Sequence, residues 1–188
     1  MLRFYRLPFY DGKFAWEISP INGSLLKSKH PYFKNSRLPH KVEKAIHSIN
    51  YPYQIKWNCL SQKISLSTYE KKRINKFNRL FFKIGNSRFL LSIAYSFFFN
   101  KKIFETTRDA FSFISTLEDH KYGSDNCFQR SLLAAKISSS FKKKGVLFIG
   151  AEIASHDMHA WIVEDNEQPD FEDRVWINYK PLLAITYL

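Results

Sequence analysis

The sequence predicts an α+β protein in which a helix packs on one face of an antiparallel sheet. Three observations lead there. Asp11-Gly12 stands between two strand-like runs, Leu2 to Leu7 and Lys13 to Ile18, which is a hairpin signal. Helical periodicity takes over between Thr68 and Leu117. Beyond Ser124 the order becomes helix, strand, strand, strand, which suits a helix laid on antiparallel strands.

Composition narrows the class. The chain has 188 residues, 45% apolar and 17% aromatic, enough large side chains to form a core and too many for a disordered chain. Two cysteines exclude a disulfide scaffold and suit a reducing, cytoplasmic compartment. Met1 to Pro8 has no apolar core behind its charges, unlike a secretory signal. The longest apolar run, Phe89 to Phe99, is 11 residues. A spanning helix needs roughly 20.

The elements follow in order. After the hairpin, Pro20 to Ser28 is rich in turn formers, and Pro39 to Ile49 reads as a short helix with Val42, Ala45, Ile46 and Ile49 on one face. Tyr51 to Leu66 holds two strand-like pieces around Asn58. Residues 1–68 thus read as a compact β-plus-helix module, and 69–188 as a second domain. Ile74, Phe77, Leu80, Phe81 and Ile84 recur at helical spacing, with Lys and Arg opposite. Phe89 to Phe99 predicts a buried helix and Thr107 to Leu117 a third. Ser124-Asp125-Asn126 offers caps for an uninterrupted helix from Cys127 to Lys144, closed by Gly145. Strands are expected at Val146 to Ile153, from His159 onward and over Val175 to Tyr179, with an acidic loop at Asn166 to Asp173.

The charge is uneven. Residues 1–104 carry 20 Lys+Arg against 4 Asp+Glu, or +16; residues 105–188 carry 9 against 13, or −4. Such a basic half raises a nucleic-acid or anionic-membrane hypothesis. A composition heavy in Lys, Asn, Ile, Phe and Tyr, as A/T-rich coding produces, is the bland account.

Cys127 opens a helix, where free backbone N–H groups favour a thiolate. The face below it carries Ser131, Ala134, Ala135 and Ser138, all small, so the helix lies close to the strands. His159 begins one of those strands. A strand-borne His facing a helix-start Cys is a nucleophile and base pair for acyl transfer. Taken singly, such a Cys is more often a small buried hydrophobe and such a His a satisfied neighbour.

The set Cys127-Phe128-Gln129-Arg130-Ser131-Leu132, Gly145, Val146-Leu147-Phe148-Ile149-Gly150 and His159-Ala160-Trp161 resembles the transglutaminase-like leader peptidases of lasso-peptide biosynthesis, the microcin-processing B proteins. The match covers about a third of the chain. It implies a transglutaminase-like, papain-like core and a cysteine endopeptidase that removes the leader from a ribosomally made precursor. An asparagine-synthetase-like cyclase using ATP would be its partner, closing the macrolactam. Residues 1–68 would be a winged leader-recognition module, binding by strand addition. No cofactor and no metal are implied.

The family's Asp on the strand after the His is missing. A hairpin register places His159 opposite Tyr179, and a one-residue shift places it opposite Asn178. Asn178 is the expected orienting residue, through its carbonyl oxygen; Asp170 and Asp173 are the runners-up in the loop before it. Trp161 is expected beside the His159 ring. His156, His159 and Cys127 could in principle hold zinc, but no fourth ligand stands out. Cys59 reads as a buried thiol. Three other readings stay open: a transglutaminase-like acyl transferase, a nucleic-acid binder using the +16 segment, and weak membrane-surface contact through Phe81 to Phe99.

Overall fold

The computed structural model describes residues 2–19, 23–29, 38–49, 56–57, 67–69, 72, 104–118, 127–164, 168–169 and 178–187. The expected helices over 74–84 and 89–99, and most of the expected strands around Asn58, lie outside these residues. So do Cys59, Asp170, Asp173 and most of the strand expected at Val175 to Tyr179.

A four-stranded antiparallel sheet organises the described chain. It runs β1 (Leu2–Arg6), β9 (Lys180–Tyr187), β6 (Gly145–Ala151), β7 (Met158–Glu164). β6 sits inside it with all seven residues buried, because both faces are covered. Leu147, Ile149, Ala160, Ile162, Leu183 and Ile185 meet helices on one face. Val146, Phe148, Trp161, Val163 and Ala184 meet Val42 and Ala45 of α1 (His40–Ile49) on the other. The period-two alternation of each strand divides these sets.

The Asp-Gly signal holds, with a shorter first strand. β2 (Phe9–Tyr10) pairs with β3 (Ala15–Ile18), and β3 with β4 (Leu25–Ser28). Asp11 accepts from the backbone N–H of Lys13 and Phe14 and from the Trp16 indole at 2.6 Å. The Trp16 bond, followed by those two amides, holds its carboxyl below the usual carboxylate range. Gly12 takes φ +95, which a side chain disfavours. The run Leu2 to Leu7 does not join this hairpin. It forms β1 and pairs from Leu2↔Tyr187 to Arg6↔Leu183, since the C-terminal apolar strand offers a longer partner.

Between these elements lie the short parallel pair β5 (Lys56–Trp57) and β8 (Gln168–Pro169), and helix α2 (Thr107–Glu118). The predicted third helix thus stands, with Ala110, Phe111, Phe113 and Ile114 buried in the first core. The expected helix from Cys127 to Lys144 is broken in two: α3 (Cys127–Ile137) and α4 (Ser139–Lys144). Ser138 is extended at φ −96, ψ 127, and its hydroxyl caps the Phe141 amide. The strand-like Phe104 enters the break, donating to the Ile137 carbonyl and accepting from Ser139 N–H. Backbone groups that the break would orphan are therefore paired. A periodic apolar face continues through Ser138, so the pattern alone gave no warning.

Glu164, at the end of β7, gathers this corner. Its carboxylate accepts from Thr107 and Ser140, and Lys144 lies 3.9 Å away. Thr107 also shares a hydrogen bond with Ser138 at 2.9 Å. One side chain thereby ties α2, α4 and β7. Among the described residues, no helix is long and apolar enough to cross a membrane.

Candidate active site

Cys127 is the first residue of α3, at the end of a helix whose face toward the sheet is built of small residues. Ser131 (3% exposed), Ala134 and Ala135 are buried, so the helix axis comes close to β7. β7 is the edge of its sheet. The backbone N–H of Ala160 donates to Cys127 Sγ at 3.3 Å, and Ser131 Oγ donates to the Ala160 carbonyl at 3.3 Å. Positions i and i+4 of one helix thus occupy both polar groups of a single residue of β7, the edge of its sheet among the described residues.

That contact locates the sulfur relative to the expected base. His159 precedes Ala160, and chain geometry puts its Cα within about 6 Å of Sγ. Alternation along β7 sends the Ala160 side chain to the helix face and the His159 ring to the other face, with Trp161. Sγ therefore lies beside the backbone of β7 next to His159.

The His159 ring lies near two aromatic rings. Trp161 is near-parallel to it, centroids 6.2 Å apart at 12°, and Tyr179 is 5.2 Å away at 40°. Trp161 also stacks on Phe148 at 5.7 Å. Strand spacing i, i+2 anticipates the Trp161 contact. Tyr179 arrives by a different route from the expected hairpin. Residues 178 and 179 lead into β9, which pairs with β6 and β1 and does not neighbour β7.

Gly150 makes the crossing possible. On β6 it faces His159 on one side and Pro181 on the other. A Cβ there would stand 2.5 Å from the Lys180 carbonyl oxygen and 2.8 Å from Trp161 Cη2. The β6–β9 register shifts between Ile149 and Gly150, a bulge that swings the start of β9 over the glycine. Tyr179 then reaches the imidazole.

Asn178 is exposed, one residue before Tyr179. His156 is exposed in the turn before β7 at φ 63, and its ring meets Trp16 at 5.4 Å. Among the described residues no group of three or more His, Cys, Asp or Glu is placed to hold a metal ion. Sequence reasoning missed Ser131 as a hydrogen-bonding residue, Gly150 as a spacer and Glu164 as an anchor. The Cys127-to-Ser131 spacing of one helical turn was the available signal for the first. No family model, no curated protein and no solved structure matches the chain.

Proposed function

We propose that this protein is a cysteine endopeptidase that removes the leader from a lasso-peptide or microcin precursor in the cytoplasm. The supporting observation is the 3.3 Å bond from Ala160 N–H to Cys127 Sγ, which brings a helix-start thiol beside the strand residue His159. The resemblance of the Cys127 helix and the His159-Ala160-Trp161 strand to the leader peptidases supplies the substrate class. The transglutaminase-like fold belongs to the same reading.

The chemistry proceeds through a thioester. Cys127 thiolate attacks the carbonyl carbon of the last leader residue, and the C–N electrons leave with nitrogen. His159 as imidazolium gives that nitrogen a proton, releasing the core peptide with a new amino terminus. Neutral His159 then takes a proton from water, whose oxygen attacks the thioester carbonyl. Thiolate departs and the leader leaves as a carboxylate. The backbone N–H of Cys127 faces the oxyanion from the helix start. Asn178 orients the imidazole in this reading, with Tyr179 and Trp161 restricting its ring.

Residues 1–68 would hold the leader. β1 lies in that stretch and is hydrogen-bonded to β9, so leader binding there is joined mechanically to the sheet bearing His159. An asparagine-synthetase-like cyclase would take the released core.

The test is cleavage of a lasso-type precursor peptide with a leader and a core. Wild-type protein should cut at the leader–core junction, while folded Cys127→Ala and His159→Ala should not. Cleavage by Cys127→Ala at the wild-type rate overturns the reading.

A further inference from the structure

We infer that Ser131 is a positioning residue for Cys127. The inference deepens the peptidase reading and rests on it for the word catalysis, although the geometry stands alone. Ser131 is buried, and its hydroxyl donates to the carbonyl of the same residue, Ala160, whose N–H reaches Cys127 Sγ. The two side chains stand one turn apart on α3 and hold both backbone polar groups of one residue of β7. A slide of the helix along the strand breaks both contacts together. The first residue of a helix is also the one most prone to fray, because its own N–H has no partner within the helix. An anchor one turn further in holds the sulfur at the height of Ala160, next to His159.

The Ser131 bond, 3.3 Å long, joins α3 to β7 rather than closing within its own helix. This separates Ser131 from an ordinary buried serine. Ser112 of α2 is equally buried, and its hydroxyl donates at 3.1 Å to the Arg108 carbonyl within its own helix. The pair therefore forms a matched control.

The experiment compares Ser131→Ala, Ser131→Thr and Ser112→Ala in the full chain, each checked for an unchanged melting temperature. Two readouts need no substrate: the rate of Cys127 alkylation by iodoacetamide across pH, and hydrogen exchange at the Ala160 amide. Ser131→Ala should speed Ala160 exchange and change the Cys127 alkylation rate by about fivefold each, the scale of one net hydrogen bond. Its alkylation pH midpoint should also move. Ser131→Thr, which keeps the hydroxyl, should restore both, and Ser112→Ala should change neither. Precursor cleavage by Ser131→Ala should lose kcat with KM held. Wild-type exchange and alkylation in Ser131→Ala overturn the inference. Altered exchange and alkylation with no cleavage by the wild-type protein support the anchor and overturn the peptidase reading.

Discussion

The imidazole of His159 meets the ring of Tyr179 at 5.2 Å, although their strands are not neighbours in the sheet. Tyr179 precedes the bulged start of β9, and its ring and that of Trp161 both lie near the imidazole. Tyr179→Ala should lower kcat for precursor cleavage by about tenfold or more, since small displacements of a reacting group are costly. KM should be little changed. Tyr179→Phe keeps the ring and should retain most of the rate. Steady-state kinetics of the two variants separate ring packing from any need for the hydroxyl.

Gly150 should not tolerate even alanine. Its added Cβ would meet backbone at 2.5 Å and the fixed Trp161 ring at 2.8 Å. Neither obstacle is the free end of a flexible side chain. Gly150→Ala should lose about 1–3 kcal/mol of stability, the usual range for overpacking. It should also displace Tyr179 from His159. Denaturant unfolding measures the first effect and precursor cleavage the second.

Trp161 carries two opposed contributions. Its indole Nε1 is buried with no hydrogen-bond partner among the described residues. An unsatisfied donor of this kind costs about 1–3 kcal/mol. Its ring, 3% exposed, fills the second core against Phe148. Trp161→Phe removes the orphan donor and part of the ring, so the changes offset and stability should stay within about 1 kcal/mol of wild type. Trp161→Ala should lose about 3–5 kcal/mol. Equilibrium unfolding of both variants distinguishes packing from polarity.

Local chemistry was legible in the sequence, and long-range pairing was not. Asp11-Gly12 announced its turn because the turn is made by its own residues. The apolar spacing of Thr107 to Leu117 announced α2, and the apolar run Val146 to Ile153 announced β6, whose second covered face was not expected. The Leu2-to-Arg6 strand could not announce a partner at the opposite end of the chain. The strand expected at Val175 to Tyr179 lies mostly outside the described residues, and the longer apolar run, β9, follows Tyr179. Choosing a hairpin there put Asn178 and Tyr179 directly opposite His159. Tyr179 nonetheless reaches the imidazole, because a bulge and a glycine bring it across β6. The break at Ser138 was hidden because a serine suits both a helix face and a cap.

Lys136 should give stability a pH dependence in the alkaline range. Burial on α3 first, and the charge of Lys142 second, bring its ammonium from 10.5 to about 8. Between those values the unfolded chain binds the proton more readily than the folded chain. Stability should therefore rise with pH across that window and level off above it. Below about 8 both states are protonated, and the penalty on the folded state is constant. Lys136→Met keeps the stem and removes the charge. It should raise the urea midpoint at neutral pH and flatten the alkaline rise; an unchanged rise would assign it to another group.

Capture of the acyl-enzyme tests the central claim most directly. Wild-type protein mixed with its precursor and quenched in acid within a turnover should show a covalent adduct by intact mass. Peptide mapping should place the leader, less one water, on Cys127, and Cys127→Ala should show neither adduct nor cleavage. Cleavage at the leader–core junction that proceeds in Cys127→Ala, with no adduct at any time in the wild-type protein, would contradict the account.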